Sequence, residues 1–235
     1  MDGACGPRFR VHPLKPFMPD FQPRLYLLSP LIGSADAFVD QLAEACEAAE
    51  IPAVLLRLAP ADERTLTKSI KALAPIAQER GAAVLVDIPA DQDAALIAAR
   101  GGADGVHSGD LTGVKSLRER LRDGRMLGIG QLRTKHDAMS AGEAGADYVM
   151  FGEPRPDGYV PPLDQIAERA EWWAEIFETP CVAFAAQLDH LPELARTGAE
   201  FVALGDAVWG CPEGAAAAVR SAGRALADAA KEFGR

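Results

Sequence analysis

Polar residues follow several short apolar runs of the chain, at positions where they could share one site. Arg57 interrupts the run VLLRL, Asp87 ends AVLVD, and His107 ends DGVH. An arginine within an apolar run must be paired, either with a carboxylate such as Asp87 or with an anionic ligand. A histidine placed like His107 is either an acid–base group or a hydrogen-bonded core residue. Arg57 therefore favours a small-molecule ligand that carries negative charge.

The segment QLRTKHDA, residues 131–138, concentrates positive charge. It contains Arg133, Lys135 and His136 just before a predicted helix. A basic loop that opens a helix is a natural anion site, because the helix N-terminus adds unpaired N–H groups and a positive dipole end. The alternative is that Lys135 and His136 already lie on the outer face of the helix.

Two absences narrow the chemistry. No lysine lies within a predicted strand, which disfavours a Schiff-base aldolase, because that reaction needs a lysine presented toward the reacting carbon. The chain also has no H-E-x-x-H motif and no His/Cys cluster, so a zinc site is not expected. Carboxylates such as Asp87 and Asp110 could instead hold Mg²⁺ loosely.

These residues are positioned by short apolar runs that alternate with longer, alanine-rich amphipathic segments. Eight runs are predicted strands: residues 24–29, 53–58, 82–87, 104–108, 126–130, 147–152, 181–185 and 200–205. Helices are predicted between them, one with Ser34 as its N-cap and another closed by Gly81. In the helix LDQIAERAEWWAEIFE, one face carries Ile166, Ala170, Trp173 and Phe177.

Eight continuous apolar strands, each followed by a helix, predict an α/β protein with a parallel sheet covered by helices. The number and spacing favour a (β/α)8 TIM barrel over residues 24–235, preceded by an irregular, proline-rich arm over residues 1–23. A doubly wound open sheet is the alternative, weakened because no G-x-G-x-x-G follows the first strand. In a barrel, the strand C-termini form the mouth where catalytic groups lie.

One phrase occurs three times: GADGVHSGD at 102–110, GADYVMFGE at 145–153 and GAEFVALGD at 198–206. We interpret its first glycine as a helix stop with positive φ, the acid as a turn, and the apolar run as a strand. The closing Gly-acid then lies at the mouth, which places Gly152, Gly205 and Asp206 there.

The length, charge and cysteine content of the chain disfavour several classes of binding partner. The chain has 235 residues and a net charge of −10, which argues against nucleic acid and against an anionic membrane surface. No segment approaches the ~20 apolar residues of a membrane span, and four dispersed cysteines do not suggest a disulfide framework. We expect a cytoplasmic protein. The adjacent Trp172 and Trp173 cannot both face the barrel, which mildly favours a homodimer.

From LYLLSP at residue 25 to GDAVW at 209, the chain resembles the thiamine phosphate synthases and their thiazole tautomerase relatives. The match rests on VLLRL, GADGVHSGD, the basic loop followed by GADYVMFGE, and PCVAFA followed by GAEFVALGD. The resemblance implies a TIM barrel in which a Mg²⁺-bound pyrimidine diphosphate loses pyrophosphate through a cation-like pyrimidine. The nitrogen of a thiazole phosphate then attacks to give thiamine phosphate.

The resemblance also implies roles for residues. The catalytic candidates are Arg57, His107 and Arg133, and Mg²⁺ would be held by Asp87 and Asp110. Substrate and phosphate groups would be bound by Arg57, Gln131, Arg133, Lys135, Gly152, Gln187, Gly205 and Asp206.

The chain departs from the family pattern at several phosphate-binding positions. Gln131 replaces a serine, residues 185–187 replace a Gly-Gly turn, and Asp206 replaces another serine. A carboxylate near a phosphate is repulsive, by ~1 kcal/mol per charge at ~4 Å in bulk water. The alternative function is therefore a non-catalytic or re-purposed barrel that binds a thiamine-related ligand.

The acidic residues of the mouth would suit a cationic ring in that alternative: Asp87, Asp110, Glu153 and Asp206. A third interpretation, an isomerase or epimerase with Asp87 or His107 as base, rests on fold analogy alone.

Overall fold

The computed structural model describes residues 22–233 as a closed barrel of parallel strands in the order β1 to β8. The strands are β1 Arg24–Ile32, β2 Ala53–Leu58, β3 Ala83–Asp87, β4 Gly105–Ser108, β5 Met126–Ile129, β6 Tyr148–Phe151, β7 Cys181–Ala185 and β8 Phe201–Leu204. Because β8 also pairs with β1, the sheet closes, which confirms the TIM barrel over the open sheet. Of the predicted N-terminal arm, residues 1–21 lie outside the described residues.

Helices cover the outside of the barrel. They are α1 Val39–Ala48, α2 Glu63–Gln78, α3 Ala94–Gly101, α4 Val114–Arg120, α5 Lys135–Glu143, α6 Leu163–Ile176, α7 Leu191–Leu194, α8 Asp206–Trp209 and α9 Ala215–Phe233. Within residues 22–233, none is both long and apolar enough to cross a membrane.

Alternate strand residues fill the barrel. The interior cluster contains Tyr26, Leu28, Leu55, Leu85, Tyr148, Met150, Val182 and Phe184, while the intervening residues pack beneath the helices. Since side chains alternate along a strand, the next inward positions after Leu55 and Leu85 are Arg57 and Asp87. The strands are apolar on both faces until they reach the mouth, and there the inward positions become polar.

The triple repeat has the structural meaning that the sequence predicts. Its first glycine adopts a left-handed conformation in each copy, with φ of 85° at Gly102, 92° at Gly145 and 80° at Gly198. Each of these residues ends a helical segment and turns the chain into the next strand.

The acid of each repeat binds the start of the preceding strand. Asp104 accepts the backbone N–H of Val84 at 2.7 Å, and Asp147 accepts that of Leu127 at 2.7 Å. Glu200 likewise accepts the N–H of Cys181 at 2.9 Å. The acid therefore fixes neighbouring strands at the end of the barrel opposite the mouth.

Two helix ends differ from expectation. Ser34 is not an N-cap, because residues 36–38 form a turn first and α1 begins at Val39 with Phe38 as its N-cap. Gly81, with φ of 84°, lies beyond Glu79, the C-cap of α2, and therefore shapes the turn after the helix.

The inner face of α6 is as predicted, with Ile166, Ala170, Trp173 and Phe177 buried. Trp172 is half-buried, and the Lys135 ammonium lies 5.1 Å from its ring centroid. Part of the Trp172 ring is therefore covered by Lys135 of the same chain, and the predicted homodimer stays a prediction.

Candidate active site

Three adjacent strands place Arg57, Asp87 and His107 side by side at the mouth. Arg57 is in register with Asp87, and Asp87 with His107. All three occupy inward positions, as the strand-end spacing predicted. The arrangement combines a cation, a carboxyl and an imidazole in one row.

Arg57 is held in place through its backbone. Its N–H donates to the Ser29 hydroxyl at 2.8 Å, and Ser29 in turn donates to the Pro30 carbonyl at 2.7 Å, where β1 shifts register. Among residues 22–233, no carboxylate forms an ion pair with the guanidinium, although Asp87 is its neighbour in the sheet. This geometry favours the anionic ligand over the structural ion pair that the sequence left open.

Asp87 is a carboxyl in a dry environment. Burial raises its pKa, and the nearby carboxylate of Glu153 raises it further, while His107 and Arg57 oppose the rise. Desolvation outweighs the opposing influence of His107 and Arg57, because the charged form of the carboxyl loses its hydration. Asp87 therefore takes up a proton more readily than an exposed aspartate.

His107 is 5% exposed, and its two ring nitrogens face different groups. Its Nδ1 lies 2.8 Å from the hydroxyl of Tyr148, which lies 2.9 Å from the hydroxyl of Tyr26. Its Nε2 faces Glu153, with 3.8 Å to Oε1. The histidine is thus hydrogen-bonded in the core and also directed at the mouth.

Glu153 contacts His107 and the loop after β5, which its position in the sequence does not predict. It follows β6, is only 8% exposed, and its Oε1 accepts the backbone N–H of Gln131. A Cβ at Gly130 would lie 1.8 Å from this oxygen and 2.6 Å from His107 Nε2. The missing side chain at Gly130 is therefore what allows the carboxylate to approach the imidazole.

Gln131 and Gly152 shape the loops that carry Glu153. Gln131 has φ of 54° and donates from Nε2 to the Pro154 carbonyl at 3.1 Å, which ties the loop after β5 to the loop after β6. Gly152 has φ of 91°, a conformation that side chains rarely adopt. Both residues position the Glu153 loop, and their expected contact with phosphate stays a prediction.

The basic loop divides into two parts. Lys135 turns to α6, where its ammonium lies 3.1 Å from Glu168 and over Trp172, so the structure does not bring it into the row at the mouth. Arg133 is exposed, and its backbone N–H donates to Asp137 at 2.9 Å. Thr134 caps α5, so Arg133 immediately precedes a helix N-terminus.

The remaining phosphate candidates follow β7 and β8. Gln187 is exposed two residues after β7, and Gly205 is buried directly after β8. Asp206 is exposed as the first residue of α8. Within the described chain, Asp206 and Arg133 form no ion pair with each other.

Asp110 is exposed and engaged in its own turn. Its Oδ1 accepts the Thr112 hydroxyl at 2.7 Å and the Thr112 N–H at 2.9 Å, and these bonds hold the pKa of Asp110 below its ordinary range. Among residues 22–233, no three His, Cys, Asp or Glu side chains converge as a metal site. Any metal here would have to be shared with a ligand.

Comparison with known proteins decides the family. The model of a family described as thiamine monophosphate synthase matches residues 25–208. The chain belongs to the thiamine phosphate synthase family. Its curated relatives include the thiamine-phosphate synthases of Rhodospirillum centenum, 36% identical over 86% of this chain and 97% of that protein, and of Hyphomonas neptunium, 37% identical over 84% and 91%.

Solved structures agree with the barrel. The thiamine phosphate pyrophosphorylase of Pyrococcus furiosus matches with a TM-score of 0.71 and 23% identity, covering 90% of this chain and 98% of that one. The 3-hexulose-6-phosphate synthase of Salmonella typhimurium matches with a TM-score of 0.65 and 15% identity, covering 86% and 98%. At these identities the structures support the fold alone.

The curated relatives make this chain a member of an enzyme family of thiamine biosynthesis whose reaction is a transfer. They support thiamine phosphate synthesis as its function. No comparison favours the non-catalytic alternative.

Proposed function

We propose that the chain joins a pyrimidine diphosphate to a thiazole phosphate at the row formed by Arg57, Asp87 and His107. The bond between the pyrimidine-bearing carbon and the diphosphate oxygen breaks, and its electron pair leaves with pyrophosphate. The thiazole nitrogen then donates its lone pair to that carbon, giving thiamine phosphate. The observation that carries the proposal is the row itself, at the mouth of a barrel of this family.

Arg57 is the residue that binds the leaving diphosphate. Its guanidinium has no ion pair among the described residues, and a guanidinium binds phosphate through two parallel charge-assisted hydrogen bonds. Arg133, exposed just before α5, adds a second cation beside a helix N-terminus. Lys135 has no part in this proposal, since it pairs with Glu168.

The carboxylates at the mouth suit the positively charged pyrimidine that forms as pyrophosphate leaves. As pyrophosphate leaves, positive charge develops on the pyrimidine, and fixed negative groups in a dry site stabilise such charge. Glu153 is buried and fixed by the Gln131 N–H, and Asp87 lies on the other side of His107. Acidic residues that oppose phosphate binding thus favour the cation formed on its departure.

A metal shared with the diphosphate fits the donor set better than a preformed centre. Mg²⁺ is commonly bound by one or two carboxylates plus substrate phosphates. Asp110 would hold it, because this carboxylate is exposed and ionised, with Asp87 as a second, drier ligand. When bound, the metal would neutralise charge on the diphosphate.

The thiazole phosphate would be received by the loops after β7 and β8. Gly205 directly follows β8, and Gln187 is exposed after the neighbouring strand β7. Asp206 reduces the affinity for phosphate relative to a neutral residue. Two phosphorylated small substrates also fit a cytoplasmic enzyme.

The test is direct synthesis by the full chain. Incubated with both phosphorylated halves and Mg²⁺, the protein should yield thiamine phosphate, measured by chromatography. Arg57→Ala should lower kcat/KM by about 10²-fold, the loss typical when one group that stabilises transition-state charge is removed. Arg64→Ala, on the exposed side of α2, is the matched control and should leave the rate unchanged. Absence of product above background with the unaltered chain would contradict the proposal.

A further inference from the structure

Two buried tyrosines connect the barrel interior to His107. Tyr26 is 2% exposed and Tyr148 is 7% exposed, and their hydroxyls lie 2.9 Å apart. The Tyr148 hydroxyl also lies 2.8 Å from His107 Nδ1, and the Tyr148 and His107 rings stack at 5.7 Å. We refer to Tyr26, Tyr148 and His107 as the tyrosine column. Small barrels normally fill this space with branched apolar residues.

The neighbouring strand makes room for the column. A Cβ at Gly128 of β5 would lie 2.0 Å from Tyr148 Cζ and 2.2 Å from its hydroxyl oxygen. Two residues on, a Cβ at Gly130 would meet His107 Nε2 at 2.6 Å. Gly128 within β5 and Gly130 just after it therefore both leave space for the column, and a side chain at either position would displace it.

The order of donation in the column follows from counting its hydrogens. Each hydroxyl has one hydrogen, and among the described residues the Tyr26 hydroxyl has only Tyr148 as a partner. If Nδ1 carried a proton and donated to Tyr148, then Tyr148 would donate to Tyr26, and the Tyr26 hydrogen would lack a buried acceptor. The opposite order, Tyr26 to Tyr148 to Nδ1, gives both hydroxyl hydrogens an acceptor.

Burial keeps both phenols in the donating form. It raises the pKa of Tyr26 and of Tyr148 well above the ordinary tyrosine value, because a phenolate would lose its hydration inside the barrel. The hydroxyl hydrogens of the column therefore remain in place across the physiological pH range.

We infer that Tyr148, supported by Tyr26, is a positioning residue that holds His107 as the Nε2–H tautomer. The Nε2–H then points to the mouth, where Glu153 Oε1 at 3.8 Å is too distant for a full hydrogen bond. It is left to donate to an oxygen of the ligand. His107 consequently acts as a hydrogen-bond donor and not as a base.

A hydrogen-bond donor at this position agrees with the proton count of the proposed reaction. The catalytic part of the inference rests on that proposed reaction. Breaking the carbon–oxygen bond and forming the carbon–nitrogen bond abstracts no proton, so no base is required. A donor directed at the leaving diphosphate, by contrast, stabilises charge that grows as the bond breaks.

The tautomer can be measured without any activity. Long-range ¹H–¹⁵N spectra distinguish a protonated from an unprotonated ring nitrogen, and should be recorded at pH about 8.5, above the ordinary imidazole pKa of about 6.5. The chain has four histidines, and the His107→Gln variant assigns the signals of His107 by their loss. We expect a protonated Nε2 and an unprotonated Nδ1. A protonated Nδ1 in the unaltered chain would overturn the inference.

Tyr148→Phe keeps the ring and removes only the hydroxyl. It should convert His107 to a mixture of tautomers and lower kcat by roughly tenfold or more, the loss typical when the partner that orients a functional imidazole is removed, with a smaller change in KM. Tyr159→Phe, in the exposed part of the loop after β6, is the matched control for both readouts.

The outcomes separate the two proposals. A loss of activity in Tyr148→Phe with an unchanged tautomer would contradict the positioning role. If Tyr148→Phe does not fold, the spectrum of the unaltered chain still decides the tautomer. If the unaltered chain makes no thiamine phosphate, the proposed reaction fails while the tautomer is measured independently.

Discussion

Among single residues, the distance between Glu153 and His107 depends most on Gly130. Gly130→Ala would place a methyl group 1.8 Å from Glu153 Oε1 and 2.6 Å from His107 Nε2, and both atoms would have to move. The displaced groups are side-chain ends, so we expect the barrel to fold normally. A misplacement of about 1 Å in an active site can cost about 10²-fold in rate, which is the loss of kcat/KM expected here.

For Gly130→Ala, the rate of thiamine phosphate formation measures the loss of activity, and a circular dichroism spectrum checks that the barrel folds normally. Gly223→Ala in α9 is the control, since a Cβ there has no atom within 4 Å, and it should keep full activity. Equal activity of the two variants would show that the approach of Glu153 to His107 is not needed.

At the site, the sequence predicts the residues at strand ends and does not predict the contacts between residues inside the barrel. The sequence identifies Asp87 and His107 because each ends an apolar run, and Arg57 because it interrupts one near its end. The ends of the strands meet at the mouth. Tyr26 and Tyr148 were missed because they resemble core residues of separate strands. Their contact depends on which side chains meet across a closed barrel, which spacing along one strand does not reveal.

Among the structural elements, the acid of the triple repeat connects neighbouring strands. Asp104→Ala would remove the acceptor of the Val84 N–H and of the Gln78 side chain, leaving a strand-end donor without a partner. An unsatisfied buried donor costs about 1–3 kcal/mol, so the free energy of unfolding should fall by about that amount in urea titrations.

Asp104→Asn provides the comparison for this prediction. Its amide oxygen can still accept the Val84 N–H, so most of the lost stability should return, while an unfolding free energy as low as that of Asp104→Ala would contradict the assigned bond. The repeat was recognised from sequence as glycine, turn and strand, and all three were confirmed. The bond to the preceding strand was not predicted, because it needs the register between strands.

For the whole molecule, the polar residues at the mouth should lower the stability of the fold while they serve the reaction. Asp87 is the residue at which this loss of stability can be measured. Because burial raises the pKa of Asp87 in the folded state, ionising it costs folding free energy at neutral pH. The Asp87 carboxyl binds its proton more tightly in the folded state than in the unfolded state, where an aspartate has a pKa of about 3.9. The unfavourable contribution is therefore present above the folded-state pKa and vanishes as the pH falls below the unfolded value.

Asp87→Asn removes this cost, so it should raise Tm at pH 7 while it lowers thiamine phosphate synthesis. The gain in Tm should shrink as the pH falls and disappear below about pH 4, because the unaltered Asp87 is then protonated in both states. Asp36→Asn, at an exposed position, is the control and should change Tm little at either pH. A Tm at pH 7 that does not rise in Asp87→Asn would mean that Arg57 and His107 compensate the buried charge. The row at the mouth would then be a stabilising ion network, and the strain expected of a preorganised site would be absent.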